Sequence, residues 1–377
     1  MEKSKALIFM HSLLKHAKDS GASDIFITTG FAPAIKVDGK IAPVSNQPLS
    51  SEQSKEFVYS LMNERQAAEF SASSECNFAI SVDEVGRFRV NAFVQQGHCG
   101  MILRKIEVVI PSFESLKIPS VLKDISLAKR GLVIFVGGTG SGKSTSLAAF
   151  VDWRNRENHD HIITLEDPIE YVHAHKKSIV TQREIGVDSD SWEIALKNTL
   201  RQAPDMILMG EIRDRETMGY AMQFAETGHL CVATLHANNA NQAMDRILNF
   251  FPEERHAQLL MDLSSNMRAI ISQRLIPLRG GKGRAAAVEV LLNTPLIADL
   301  IFKGDTSGVK EVMSRSTDVG MQTFDKALFD LYESGRISYE DALRNADSMN
   351  DLRLKIKLEG TQNEDVGDVL DGLSLME

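Results

Sequence analysis

No apolar run in the chain reaches the roughly 18 residues that a bilayer-crossing helix needs, so no helical membrane span is expected from the sequence. Cysteine is scarce. Cys76, Cys99 and Cys231 lie far apart, and none shows a CxxC or zinc-ligand spacing. They read as reduced, mostly buried thiols, and a structural zinc site is not expected. Positive charge is in deficit: 42 Lys and Arg stand against 51 Asp and Glu, for a formal charge of -9 and a pI of about 5.7. A chain that wraps a nucleic-acid backbone is usually basic, so no nucleic-acid partner is expected. No secretory leader is expected either. The apolar stretch near the start is broken by His11, Lys15 and His16, with no small-residue cleavage site after it. It reads as an amphipathic first helix of a cytoplasmic protein.

What is present is globular: 43% hydrophobic and 25% charged residues over 377 positions, enough for two domains. Residues 1–110 read as a smaller α+β unit. A first helix ends near Ser20-Gly21, a strand covers 24–28, and a hairpin turns at Asp38-Gly39. Residues 51–70 read as one surface helix started by Ser50 and Gln53. Over 86–94, Phe88, Val90, Ala92 and Val94 share one strand face, while Arg87, Arg89 and Asn91 share the other. A partner strand over 101–106 carries Arg104. Residues 111–120 read as a linker.

Residues 121–359 alternate strands and helices, which predicts a mostly parallel α/β sheet covered on both faces. Strands are expected at 132–136, 161–165, 179–182, 206–209 and 230–235, with helices at 143–153, 192–202 and 215–227. Beyond 250 the chain reads as helical, with one exception at 285–292. The tail, 360–377, holds Glu364, Asp365, Asp368, Asp371 and Glu377 without Lys or Arg and reads as mobile and acidic.

The strongest chemical signal is the run Gly137, Gly138, Thr139, Gly140, Ser141, Gly142, Lys143, Ser144 and Thr145, a complete phosphate-loop pattern between an apolar strand and a helix. Glycines let the backbone close around phosphate with its N–H groups inward, and the helix start adds positive potential. Lys143 supplies a charge for the outer phosphates of ATP, and Ser144 can ligate magnesium. Glu166-Asp-Pro-Ile-Glu follows a strand directly, at the edge where parallel sheets bind ligands. One of these carboxylates could polarise the attacking water. Glu211 ends the short strand 206–209 and suits the magnesium side, whereas Asp205, at its other end, suits a structural pairing. His229 and His236 flank the next strand, either as structural hydrogen-bonders or as site residues. Arg87, Arg89 and Arg104 form either a solvated strand face or a set of arginines delivered to phosphates across a domain or subunit boundary.

Arg87-Phe-Arg-Val-Asn-Ala-Phe, Glu166-Asp-Pro-Ile-Glu-Tyr, Gly210-Glu-Ile-Arg-Asp and Glu226-Thr-Gly-His-Leu, in this order around the phosphate loop, resemble the secretion and pilus ATPase superfamily. Within it they are most similar to the type IV pilus retraction ATPases. The match runs from Gly21-Ala-Ser-Asp-Ile to Gly320-Met-Gln-Thr-Phe. The resemblance implies a PAS-like N-terminal domain and a RecA-like ATPase core. It implies a homo-hexameric ring with nucleotide between the two domains of a protomer and help from neighbours. Glu166 matches the family's catalytic glutamate and Glu211 its magnesium-side glutamate. His229 and His236 match its paired histidines, and Arg87, Arg89 and Arg104 match arginines that reach toward nucleotide. The implied function is magnesium-dependent ATP hydrolysis powering or assisting pilus retraction and twitching motility. It would act at the cytoplasmic face of the inner membrane through a pilus platform protein. The alternatives are a motor of pilus extension or type II secretion and, further off, a nucleic-acid motor.

Two departures are informative. The retraction motif Ala-Ile-Arg-Asn-Leu-Ile of PilT corresponds to Leu296-Ile-Ala-Asp-Leu-Ile here, which keeps the apolar spacing and loses the arginine. The loop reads Gly137-Gly-Thr where PilT has Gly-Pro-Thr. Together with the acidic tail, these point to an accessory member that works with a PilT-like retraction ATPase.

Overall fold

The computed structural model describes residues 3–106, 109–316 and 319–361. The expected acidic tail therefore lies, beyond residue 361, outside the described residues. The chain divides into two compact units. The first is Met1–Val109 with Pro168–Val172 and Arg183–Ser191, and the second is Ile110–Asp167, His173–Gln182 and Trp192–Glu377. No described helix is long and apolar enough to cross a membrane.

The first unit opens with the helix Lys3–Asp19. Its sheet holds β1 (Asp24–Ile27), β2 (Ala34–Val37), β3 (Lys40–Pro43), β4 (Glu75–Val82), β5 (Gly86–Gln95) and β6 (His98–Ile106) in the order β3-β2-β1-β6-β5-β4. Every neighbouring pair is antiparallel. The pleat puts Phe88, Val90 and Ala92 of β5 into a core with Met10, Leu14, Ile25, Phe57 and Phe78. Val94, expected on that face, is exposed at the strand end. The single helix expected over 51–70 is two helices, Ser51–Ser60 and Glu64–Ser73. Ser50 and Gln53 make the capping box at the first start. Asn63 and Gln66 make a second one that starts the chain afresh. β4 had no counterpart in the sequence reading.

The second unit is built on a seven-stranded sheet. Its strands are β7 (Gly131–Val136), β8 (His161–Glu166), β9 (Ile179–Glu184), β10 (Met206–Met209), β11 (Leu230–Leu235), β12 (Met267–Pro277) and β13 (Arg284–Leu292), in the order β13-β12-β7-β11-β10-β8-β9. β12, β7, β11, β10 and β8 run parallel, and β13 returns antiparallel to β12. All residues of β7 and β10 are buried, so both sheet faces are covered. The expected strands and the helices Lys143–Glu157 and Arg215–Glu226 are all present. The correction is β12. This stretch was expected to be helical and is a strand beside β7. A strand buried on both faces shows a near-continuous apolar run, which periodicity alone cannot separate from a buried helix.

Candidate functional site

β7 delivers the phosphate loop. Its strand ends at Val136, and the helix Lys143–Glu157 begins directly after the loop. Gly137 and Gly142 have φ of 157° and 82°. A Cβ at Gly137 would lie 2.5 Å from Ser141 Oγ and 2.7 Å from the Gln273 carbonyl, and one at Gly142 would lie 2.8 Å from Gln273 Nε2. Glycine alone fits both the dihedral and the space. Lys143 Nζ donates to the carbonyls of Gly137 at 2.6 Å and Gly138 at 2.9 Å, so the ammonium is held over the loop. Ser141 Oγ is buried with no hydrogen-bond partner. A cationic side chain, a helix start and an unsatisfied buried hydroxyl fit a bound phosphate chain.

Strand register sets what surrounds the loop. Val136 pairs with Leu235, Ala233 with Met209, and Met209 with Leu165. Hence the loop, His236, Glu211 and Glu166 all follow the carboxyl ends of adjacent parallel strands, at one edge of the sheet. The turn after β10 is pinned by Gly210 N–H donating to Leu165 O at 2.7 Å and Ile212 N–H donating to Thr234 O at 2.8 Å. The Thr234 hydroxyl also donates to Gly210 O. Each oxygen of Glu211 faces a nitrogen-bearing side chain. Arg213 Nε donates to Oε2 at 2.8 Å, and His236 Nε2 lies 3.3 Å from Oε1. Arg213 also reaches to 3.6 Å from Asp167 Oδ2. The hydrogen bond to Glu211 holds the Arg213 guanidinium above its ordinary pKa. Glu166 Oε1 accepts from Thr164 Oγ1 at 2.6 Å and from Gln182 Nε2 at 3.2 Å, so this carboxylate too is oriented.

His229 lies elsewhere. It precedes β11 at the amino edge of the sheet, where its carbonyl accepts from Gly131 N–H at 3.0 Å. Its Nδ1 faces Thr227 Oγ1 at 3.1 Å and Phe224 O at 3.3 Å. Asp205 is at that edge as well and accepts from His161 N–H at 2.8 Å. The arginines belong to the first unit. Arg89 sits opposite Arg104 across β5 and β6. Arg104 binds Asp24 at 2.7 Å. Arg87 Nε is buried without a hydrogen bond. Buried Glu184 accepts from Ile169 N–H at 3.2 Å, and the charges of Arg89 and Arg87 act on it. Burial pushes its carboxyl pKa up.

Three contributors had no place among the sequence candidates. Arg213 was visible inside Gly210-Glu-Ile-Arg-Asp but carried no assigned role. Gln182 is a polar residue within β9. Gln273 lies within the apolar run read as helix, and it donates from Nε2 to Ser141 O at 2.9 Å. Among the described residues, no group of three His, Cys, Asp or Glu could hold a metal by itself. Magnesium usually keeps its waters and takes substrate phosphates plus one or two protein oxygens, and the Ser144 hydroxyl and Glu211 carboxylate are oxygens of that kind.

The chain matches the type II/IV secretion system protein family over residues 2–291. It is 59% identical over 364 residues to the type IV pilus ATPase PilU of Pseudomonas aeruginosa, covering 96% of this chain and 95% of that one. It is 41% identical over 334 residues to the type IV pilus retraction ATPase PilT of the same organism, covering 89% and 97%. The crystal structure of the pilus retraction motor PilT with bound ADP superposes with a TM-score of 0.85 at 40% identity, covering 91% of this chain and 98% of the other. The Legionella pneumophila ATPase DotB gives 0.77 at 27% identity, covering 89% and 94%. The second unit is thus a RecA-like α/β ATPase core joined to an N-terminal α+β unit, and the chain belongs to the type II/IV secretion system protein family, among its type IV pilus retraction ATPases.

Proposed function

We propose that this protein hydrolyses ATP as a ring motor that assists type IV pilus retraction together with a PilT-like ATPase. The observation that carries this is the set of Glu166, Glu211 and His236 on successive strand ends beside a complete phosphate loop. Lys143 and the loop amides bind and orient the phosphates. Glu166, oriented by Thr164 and Gln182, accepts or directs the proton of the attacking water. Glu211 is fixed by Arg213 and faced by His236. Magnesium, held by Ser144 and through water by Glu211, would neutralise charge on the outer phosphates. The protein would work as a homo-hexamer, with the first unit acting as a PAS-like domain. Arg87, Arg89, Arg104 and His229 would contribute to nucleotide sites shared among ring neighbours, a role that rests on family resemblance. A pilus platform protein would hold the ring at the cytoplasmic face of the inner membrane.

Support for the accessory role comes from two facts: the PilU relative is more similar than PilT, and Ala298 stands where the retraction motif has arginine. The test is to image pilus retraction in cells lacking this gene, the PilT-like gene, or both. Retraction should weaken without this protein and nearly vanish when it is the remaining ATPase. Strong retraction driven by it alone would overturn the accessory role. Absence of phosphate release by the purified, assembled protein with ATP and magnesium would overturn the enzyme.

A further inference from the structure

We infer that Gln273 of β12 is a positioning residue of the phosphate loop, one that aims the Gly142 amide at bound phosphate; this rests on the ATPase function proposed above. Gln273 is 3% exposed, and both ends of its amide are engaged. Ser146 Oγ, itself 1% exposed, donates to Oε1 at 2.7 Å. Nε2 donates to the Ser141 carbonyl at 2.9 Å. A backbone carbonyl can only accept, so the amide's NH2 end must face the loop, and the Ser146 hydroxyl is left to satisfy the oxygen.

The consequence follows from peptide geometry. The Ser141 C=O and the Gly142 N–H belong to one planar trans unit and point in opposite directions. Holding that carbonyl toward β12 turns the Gly142 N–H away from the strand. The Gly142 carbonyl accepts from Ser146 N–H at 3.1 Å in the first helical turn. Ser146 therefore fixes the glycine from one side through its backbone and the glutamine from the other through its hydroxyl. The loop is moulded against this side chain: a methyl group on Gly142 would meet Gln273 Nε2 at 2.8 Å and Leu275 Cδ1 at 3.2 Å. A loop donor that is fixed before the phosphate arrives costs no reorganisation on binding.

The experiment measures ATP and ADP affinity by calorimetry, with steady-state kinetics, for wild type, Gln273→Met and Gln273→Glu. The Met variant keeps length and volume and removes the donor. It should bind ATP and ADP about tenfold more weakly, with KM rising more than kcat falls, because the amide serves ground and transition states alike. The Glu variant replaces the donor by oxygen. A buried carboxyl titrates high, so this variant should bind poorly near about pH 8 and recover toward about pH 6 as an O–H donor to Ser141 is restored. A purely structural role predicts no such recovery. The inference is overturned by a folded Met variant within about twofold of wild type, or by a Glu variant whose deficit does not change with pH. If the Met variant does not fold, the Glu variant decides. Wild-type protein that binds no ATP sinks the ATPase function instead.

Discussion

Glu211 and His236 meet at the ends of neighbouring parallel strands, with the carboxylate Oε1 3.3 Å from the imidazole Nε2 and Oε2 taken by Arg213 at 2.8 Å. Arg213 holds the acid, and His236 faces it from the neighbouring strand end. Glu211→Gln should slow turnover and shift the magnesium optimum, because it removes the charge both partners address. His236→Ala should leave ATP binding intact and lower kcat by about tenfold or more, on the scale of a lost positioned group. Magnesium titrations at saturating ATP check both. An unchanged optimum in the Gln variant counts against the magnesium-side role.

Glu166 is oriented by Thr164 and Gln182. Glu166→Gln keeps the size and removes the proposed base. Its expected signature is near-normal ATP affinity, intact assembly and a kcat loss of roughly 10²-fold or more. Single-turnover hydrolysis at saturating nucleotide measures it. Thr164→Val should show a smaller loss in the same assay, because it frees the carboxylate to rotate without removing it.

Lys143 is already drawn over the loop by the carbonyls of Gly137 and Gly138. Lys143→Ala should weaken nucleotide binding and abolish turnover with the thermal melt little changed, since the side chain is not part of a hydrophobic core. Wild-type hydrolysis by a well-folded variant would remove the loop from the mechanism.

Glu289 sets a pH dependence of stability. Its carboxylate is buried where it accepts from Ala240 N–H at 2.8 Å and Ser272 Oγ at 2.9 Å. Burial pushes its pKa up to about 7 from 4.5, with Asp347 reinforcing and Arg274 opposing. Between those two values the folded chain binds a proton that the unfolded chain has released. The contribution to stability is therefore fully present below about 4.5 and is lost as pH rises through about 7. Glu289→Gln keeps an acceptor and removes the charge. Its unfolding free energy should exceed that of the parent above neutrality by on the order of 1 to 3 kcal/mol, and the gap should close in mild acid. Denaturant melts across pH read it directly.

The shared sheet edge of the phosphate loop, Glu166, Glu211 and His236 was legible because each follows a short apolar run, and the ends of parallel strands gather at one edge. The hairpin at Asp38-Gly39 and the cap at Ser50 were legible because turn and cap chemistry is local. Asn63 carries the same local signal as Ser50 and was passed over within a run of helix-compatible residues. β12 and Gln273 are different. The strand is largely buried on both faces, and its glutamine is partnered by residues 132 and 127 positions away in sequence. No window along the chain contains that information. Arg213 shows a third case, in which the residue was in view but its two carboxylate partners were not known to converge.

Gln273 and Arg274 are consecutive on β12, so their side chains leave opposite faces of the sheet. Gln273 serves the phosphate loop. Arg274 binds Asn345 O at 2.6 Å, Asp347 at 2.8 Å and Asn238 O at 3.2 Å, and stacks its guanidinium 4.0 Å from the Phe324 ring. The stretch is also locked sideways, with Ser272 opposite Val136 on one neighbour and Glu289 on the other. A frame slip of one position would exchange the two faces and forfeit both sets of bonds at once. Insertions and deletions should therefore be lethal to function within residues 270–276. The turn at 280–283 ahead of β13, exposed along its length, should accept added residues.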